Sequence, residues 1–118
     1  MEPCIFCEIV KKRITTRILY EDGSVLAFPD SNPLAPVHVL IIPKKHIDSV
    51  TEVEPEDEGL MGHLIMTAKR LAEDMGISGD GYKLLIRAGS HGGQEVSHLH
   101  LHLIGGAPLF EDIRPWAE

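Results

Sequence analysis

Three histidines alternate with leucine near the C-terminus, in the run His98-Leu99-His100-Leu101-His102-Leu103-Ile104. A β-strand sends successive side chains to opposite faces, so this run predicts a strand over 98–104. One face then carries His98, His100 and His102, and the other carries Leu99, Leu101 and Leu103. The leucines give the strand a reason to be buried. The imidazoles make a row of groups that can bind metal, carry protons or attack phosphorus. Just before them lies Ala88-Gly89-Ser90-His91-Gly92-Gly93-Gln94-Glu95-Val96-Ser97. This is a glycine-bearing loop that lets backbone come close to a ligand.

The rest of the chain supplies partners for that strand. Asp22-Gly23 is a turn signal between short strands at 17–21 and 24–28. A polar bend from Pro29 to Pro33 leads to a strand over 38–42, which Pro43 ends. A fourth strand runs over 82–87. Ile5, Phe6, Ile9 and Val10 recur at helical spacing and predict a short helix within 4–13. Leu60, Leu64, Ala68, Leu71 and Met75 mark a long helix over 56–75, its stripe widened by Met61, Ile65 and Ala72. Pro55 and the acids Glu54, Glu56, Asp57 and Glu58 suit its start better than a metal site, and Gly76 suits its stop. Tight turns between neighbouring strands favour antiparallel pairing. The expected fold is α+β: a mainly antiparallel five-stranded sheet with one long helix and a short N-terminal helix.

The chain's 118 residues suit one domain spanning 1–118. With 43% apolar residues, that is enough for a core without disulfides. A formal charge of −7 gives no reason to expect a nucleic-acid partner. Lys11-Lys12-Arg13 and Lys44-Lys45 read as solvated surface. The N-terminus lacks a basic segment followed by an apolar one, and no apolar run reaches the roughly 18 residues that span a bilayer. A cytoplasmic protein with no membrane partner is expected. In a reducing compartment Cys4 and Cys7 are thiols or metal ligands rather than a structural disulfide.

Three readings of the histidine row stand side by side: buried histidines satisfied by carbonyls, a catalytic metal site, and nucleophilic catalysis by an imidazole. Spacing alone does not choose between the last two. Cys4-x-x-Cys7 likewise admits a redox motif, two core thiols, or half of a tetrahedral Cys₂His₂ zinc site.

The segment HLHLHLI is similar to the signature of the histidine triad (HIT) proteins. CIFCEIV, LAFPDSNPLAPVHVLIIPKKHI and GGQEVSHLHLHLIGG follow in that family's order and spacing. The resemblance covers roughly 4–108 and is nearest to the branch of nucleoside phosphoramidases and related dinucleotide hydrolases. It implies a HIT-like fold and an enzyme that cleaves purine nucleoside phosphoramidates or related adenylyl conjugates through a nucleotidyl-histidine intermediate. His100 would be the nucleophile, supported by His102 and His38, with Gln94 as a polar contact to phosphate or leaving group. Backbone amides from Gly93 to Val96 would meet phosphate oxygens.

Asp30, otherwise a turn acid after Pro29, would accept the ribose hydroxyls. Ile5, Phe6, Ile9, Phe28 and Leu40, otherwise plain core, would form the slot for the base. The Cys pair is similar to a zinc-binding subset in which the other ligands match His46 and His98, a structural zinc with no organic cofactor. A homodimer is implied, with residues after Gly106 reaching the partner's site. Two positions depart from the pattern. Glu95 stands where several relatives have serine, and Arg87 where many have asparagine. An ionised glutamate cannot donate to phosphate, whereas an arginine can pair with phosphate or with Glu95. Two alternatives remain: a nucleotide-binding interaction protein whose hydrolysis is incidental, and a hydrolase using a triad-bound zinc.

Overall fold

The structure, a computed structural model, describes residues 4–116. Five strands form one sheet: β1 (Tyr20–Glu21), β2 (Val25–Pro29), β3 (Val37–Pro43), β4 (Tyr82–Ile86) and β5 (Leu101–Gly105). Their order is β1-β2-β3-β5-β4, and every pairing is antiparallel. Two helices flank it, α1 (Ile5–Val10) and α2 (Glu58–Asp74). Among the described residues no helix is long and apolar enough to cross a membrane.

Strand alternation divides the interior into two cores. Residues paired directly across strands share a face. Phe28 pairs with Leu40, Leu40 with His102, and His102 with Leu85, so one face carries apolar groups that lead up to a histidine. There Leu26, Phe28, Leu40 and Ile42 pack with Phe6 and Ile9 of α1. On the other face Val25, Ala27, Val39, Ile41, Leu99, Leu101 and Leu103 pack under Leu64, Ala68, Leu71 and Ala72 of α2. The central strands are therefore apolar on both faces, as in a sheet covered on both sides. The stripe of α2 is narrower than the spacing suggests: Ile65 is 49% exposed.

The acids before α2 serve its start. The Asp57 carboxylate accepts the Glu54 N–H at 3.1 Å and Lys45 Nζ at 2.7 Å. Gly76 ends the helix at φ +75°, where its N–H donates to the Glu73 carbonyl.

Two boundaries differ from expectation. The first hairpin strand is a two-residue ladder, although Leu19 N–H still donates to the Ala27 carbonyl at 2.8 Å. The histidine strand begins at Leu101, not at residue 98. Continuing its register with β3 would set Leu99 opposite Pro43, which has no N–H to donate. β4 already ends at Ile86, opposite Leu101. Residues 98–100 leave the ladder, and the Leu99 N–H donates instead to the Ile47 carbonyl at 2.7 Å. The alternation survives: all three histidines and all three leucines are buried, on opposite faces.

Candidate active site and metal centre

A line of polar groups crosses the α1 side of the sheet from β2 to β4. Asp30 follows β2, His38 sits on β3, His102 on β5, and Arg87 follows β4. Asp30 Oδ1 accepts the Asn32 N–H at 2.8 Å, the turn its position suggests, while Oδ2 lies 3.4 Å from His38 Nε2. His38 Nε2 and His102 Nδ1 are 2.9 Å apart, and His38 Nδ1 accepts the Leu34 N–H at 3.0 Å. Arg87 Nη1 is 3.3 Å from His102 Nε2.

Burial pulls the His102 pKa from the ordinary 6.5 down to about 4, helped by the neighbouring His100, Arg87 and His38, beside which a further positive charge is disfavoured. Burial also lowers His38, against the pull of Asp30. Both rings are thus neutral near pH 7.

His100 stands beside this line, its ring 4.9 Å from that of His102 and edge-on to Phe6 at 5.2 Å. Its Nδ1 donates to the His98 carbonyl at 2.7 Å. That bond fixes the tautomer and leaves the lone pair on Nε2, the atom needed by a nucleophile or a base.

The fourth histidine, His98, lies on the same face but turns its ring toward the N-terminus of α1. His98 Nδ1 lies 3.3 Å from Cys4 Sγ and 3.6 Å from Cys7 Sγ, and His46 Nδ1 lies 3.2 Å from Cys7 Sγ. The four ligand atoms fall within 4.8 Å of one another. In a tetrahedral zinc site, Zn–S and Zn–N bonds set sulfur and nitrogen about 3.6 Å apart. The outer nitrogens are also engaged: His98 Nε2 donates to the Pro43 carbonyl at 2.8 Å, and His46 Nε2 to Asp48 Oδ1 at 2.7 Å. Such bonds aim the Nδ1 lone pairs inward, as metal-binding histidines require. The donor set fits a structural zinc. Asp30, His38 and His102 are also close enough to share an ion.

Other expected residues divide. Phe6, Ile9, Phe28 and Leu40 form one apolar cluster, with Val96 packed against it. Ile5, the first residue of α1, is outside that cluster and 51% exposed. Gln94 is spent on backbone: its Oε1 accepts Gly89 N–H at 3.0 Å, and its Nε2 donates to the carbonyls of Asp48 at 2.6 Å and Val96 at 2.9 Å. Both amide hydrogens are used, so the side chain holds the loop and has none left for phosphate. The amides of Gly93 and Gln94 close turns onto Ser90 and Gly89 carbonyls. Arg87 reaches His102 rather than Glu95, whose side chain is exposed.

Several groups at the site are invisible to motif reading. The Leu34 N–H and the Pro43 and His98 carbonyls are backbone atoms with no residue signature. Asp48 had a weak one, two residues after His46. A further cluster lies outside the site, where Asp22 Oδ2 accepts from Tyr20 Oη and His63 Nε2 at 2.7 Å each, tying the first hairpin to α2. A hollow of about 720 Å³ also lies elsewhere, between Gly76–Lys83 and Gly106–Leu109.

A five-stranded antiparallel sheet with a buried histidine row beside a Cys₂His₂ cluster defines the class. A HIT domain profile matches residues 11–109, and the chain belongs to the HIT family. It is 50% identical over 108 residues to an uncharacterised HIT-like protein of Synechocystis, covering 92% of this chain and 94% of that one. It is 46% identical to the purine nucleoside phosphoramidase of Escherichia coli, covering 92% and 91%. Among solved structures, a HIT family hydrolase from Legionella pneumophila superimposes with a TM-score of 0.90 at 44% identity, covering 92% of this chain and 96% of that one.

Proposed function

We propose that this chain, a single domain, hydrolyses purine nucleoside phosphoramidates or related adenylyl conjugates through a nucleotidyl-histidine intermediate. The observation that carries the reading is the His98 carbonyl on His100 Nδ1, which leaves Nε2 unprotonated beside two buried, neutral histidines. His100 Nε2 attacks the α-phosphorus and the leaving group departs. Water then breaks the N–P bond and releases the nucleoside monophosphate. Negative charge that gathers on the phosphoryl oxygens is met by His102, and by the Glu95 and Val96 amides, which take no part in the turns made by Gly93 and Gln94. Asp30 accepts the ribose hydroxyls, and Phe6, Ile9, Phe28, Leu40 and the exposed Ile5 border the base. Gln94 contributes by holding the loop.

Cys4, Cys7, His46 and His98 hold a zinc ion whose contribution is structural: it ties α1 to the sheet. The same thiols support a cytoplasmic location, since cysteines gathered with histidines persist as thiolate ligands in a reducing compartment. A homodimer belongs to this reading. Lys83 on the edge strand β4 bonds the Phe110 carbonyl at 3.5 Å and pairs with Glu111. This leaves Phe110, Ile113 and Trp116 85, 85 and 97% exposed. Three large apolar residues left this exposed among the described residues suit a second chain.

The test is mass spectrometry of protein quenched during turnover of adenosine 5′-phosphoramidate. An added nucleotidyl mass on His100 is expected. Turnover without any adduct, under conditions that trap other phosphohistidines, would remove the mechanism.

A further inference from the structure

Two imidazoles in this site bridge two groups that can only donate hydrogen bonds. At one end the Leu34 N–H points at His38 Nδ1, 3.0 Å away. At the other the Arg87 guanidinium stands 3.3 Å from His102 Nε2. A neutral imidazole offers one donor and one acceptor. Because His38 Nδ1 accepts from Leu34, its proton is on Nε2. There it faces two acceptors, His102 Nδ1 at 2.9 Å and the Asp30 carboxylate at 3.4 Å. His102 then accepts at Nδ1 and carries its own proton on Nε2, directed at Arg87. Reversing both tautomers only moves the conflict to Leu34, and turns the His38 lone pair toward the Asp30 carboxylate. No placement of protons on two neutral rings satisfies both ends. An oxyanion between His102 and Arg87 does, because it accepts from each.

The surroundings hold Arg87 at this point. Its side chain runs beneath Gly93, where an added Cβ would come within 3.3 Å of Arg87 Cδ, and where φ is +82°. Along the site the order is Asp30, His38, His102, Arg87, with His100 beside His102. Arg87 therefore lies at the end opposite Asp30; with the ribose at Asp30 and the phosphorus at His100, as the proposed function has them, this is the side on which a leaving group emerges.

We propose that Arg87 is a specificity-determining residue that, with the Nε2–H of His102, forms a two-donor slot favouring nucleoside 5′-conjugates whose leaving group is an oxyanion over those that release an amine. The proposal rests on His100 attacking the α-phosphorus. For a nucleoside diphosphate, the N–P bond forms as the P–O bond to the β-phosphate breaks. The departing oxygen keeps the electron pair and takes a proton from solvent. Water then displaces His100, releases the monophosphate and returns a proton to solvent.

The experiment compares full-length wild type with Arg87→Gln and Arg87→Lys on adenosine 5′-diphosphate and adenosine 5′-phosphoramidate. A charge-assisted hydrogen bond corresponds to about a 10- to 100-fold effect. The ratio of kcat/KM for the diphosphate to that for the phosphoramidate should fall by about that factor in Arg87→Gln, with Arg87→Lys intermediate. A ratio that stays within about threefold of wild type overturns the proposal, since loss of mere structural support lowers both substrates alike. A titration with inorganic phosphate, followed by ¹⁵N NMR of the His102 ring, is independent of turnover. Phosphate should bind the wild type with the His102 proton on Nε2, and about tenfold or more weakly to Arg87→Gln. Equal binding, or a proton on Nδ1, also overturns the slot. Should the wild type turn over neither nucleotide, the nucleophile reading fails, while the phosphate titration still judges the slot.

Discussion

The backbone carbonyl of His98 accepts the Nδ1–H of His100 at 2.7 Å, while the His98 imidazole faces Cys4 and Cys7 at 3.3 and 3.6 Å. One residue thus joins the Cys₂His₂ cluster to the proposed nucleophile. Whatever holds the His98 side chain also sets the carbonyl that orients His100. The two sites are one mechanical unit, and predictions about one extend to the other.

His100→Ala should lower turnover of adenosine 5′-phosphoramidate by at least about a thousandfold, the scale of losing a covalent nucleophile. Affinity for adenosine monophosphate should stay within about threefold, because Asp30 and the apolar slot remain. Isothermal titration gives the affinity, and quenched-sample mass spectrometry should show no adduct. Near-normal turnover in a folded variant would sink the assignment.

Protein purified without added zinc should contain about one zinc per chain by elemental analysis. Cys4→Ser should lose it and melt at least about 5 °C lower, since structural zinc binding is folding free energy. Through the His98 carbonyl the loss should reduce kcat more than it raises KM. A stable variant with unchanged metal content and unchanged kcat would break the proposed linkage.

Stability should fall as pH drops from about 6.5 to about 4. His102 has its folded pKa lowered to about 4, chiefly by burial, so in this window the unfolded chain binds the proton that the folded chain refuses. Unfolding is therefore favoured by acid, and the penalty is absent above the unfolded value. His38, also lowered by burial, adds in the same direction. His102→Gln should flatten the slope of the urea midpoint against pH over this range. An unaltered slope would show that His102 is not its source.

Light scattering at micromolar concentration should give twice the 13.0 kDa chain mass. Truncation after Leu109 removes Phe110, Ile113 and Trp116 and should change rates unequally across leaving groups on one nucleoside. A monomer mass would refute the dimer, and a uniform rate change would leave the tail as packing alone.

Much of the fold was legible because it rests on periodicity. The two-residue alternation of 98–104 assigned Leu99, Leu101 and Leu103 to the α2 core and the histidines to the other face, and both assignments hold. The three- and four-residue spacing of Leu64, Ala68 and Leu71 set the inward face of α2. Local chemistry also sufficed for the capping acids and for Gly76. Ile65 and Ile5 are more exposed than their spacing suggests, because periodicity says which side a residue is on, not how far cover extends across that side. The histidine strand starts late because its ladder depends on a proline 56 positions earlier in the chain, Pro43 facing Leu99.

The site divides along the same line. The residue types and the family pattern named the histidines, the cysteines, Asp30 and Arg87. Only tertiary structure decided which atoms meet. Leu34 N–H, the Pro43 carbonyl and the His98 carbonyl fix the tautomers of His38, His98 and His100, and backbone groups are the same in every residue, so sequence cannot mark them. Gln94 and Arg87 show the consequence. One is a polar side chain whose amide hydrogens are consumed by carbonyls, and the other a cation that reaches His102 instead of Glu95. Sequence sets which groups the chain can offer; folding decides which of them are already satisfied, and chemistry is left to those that are not.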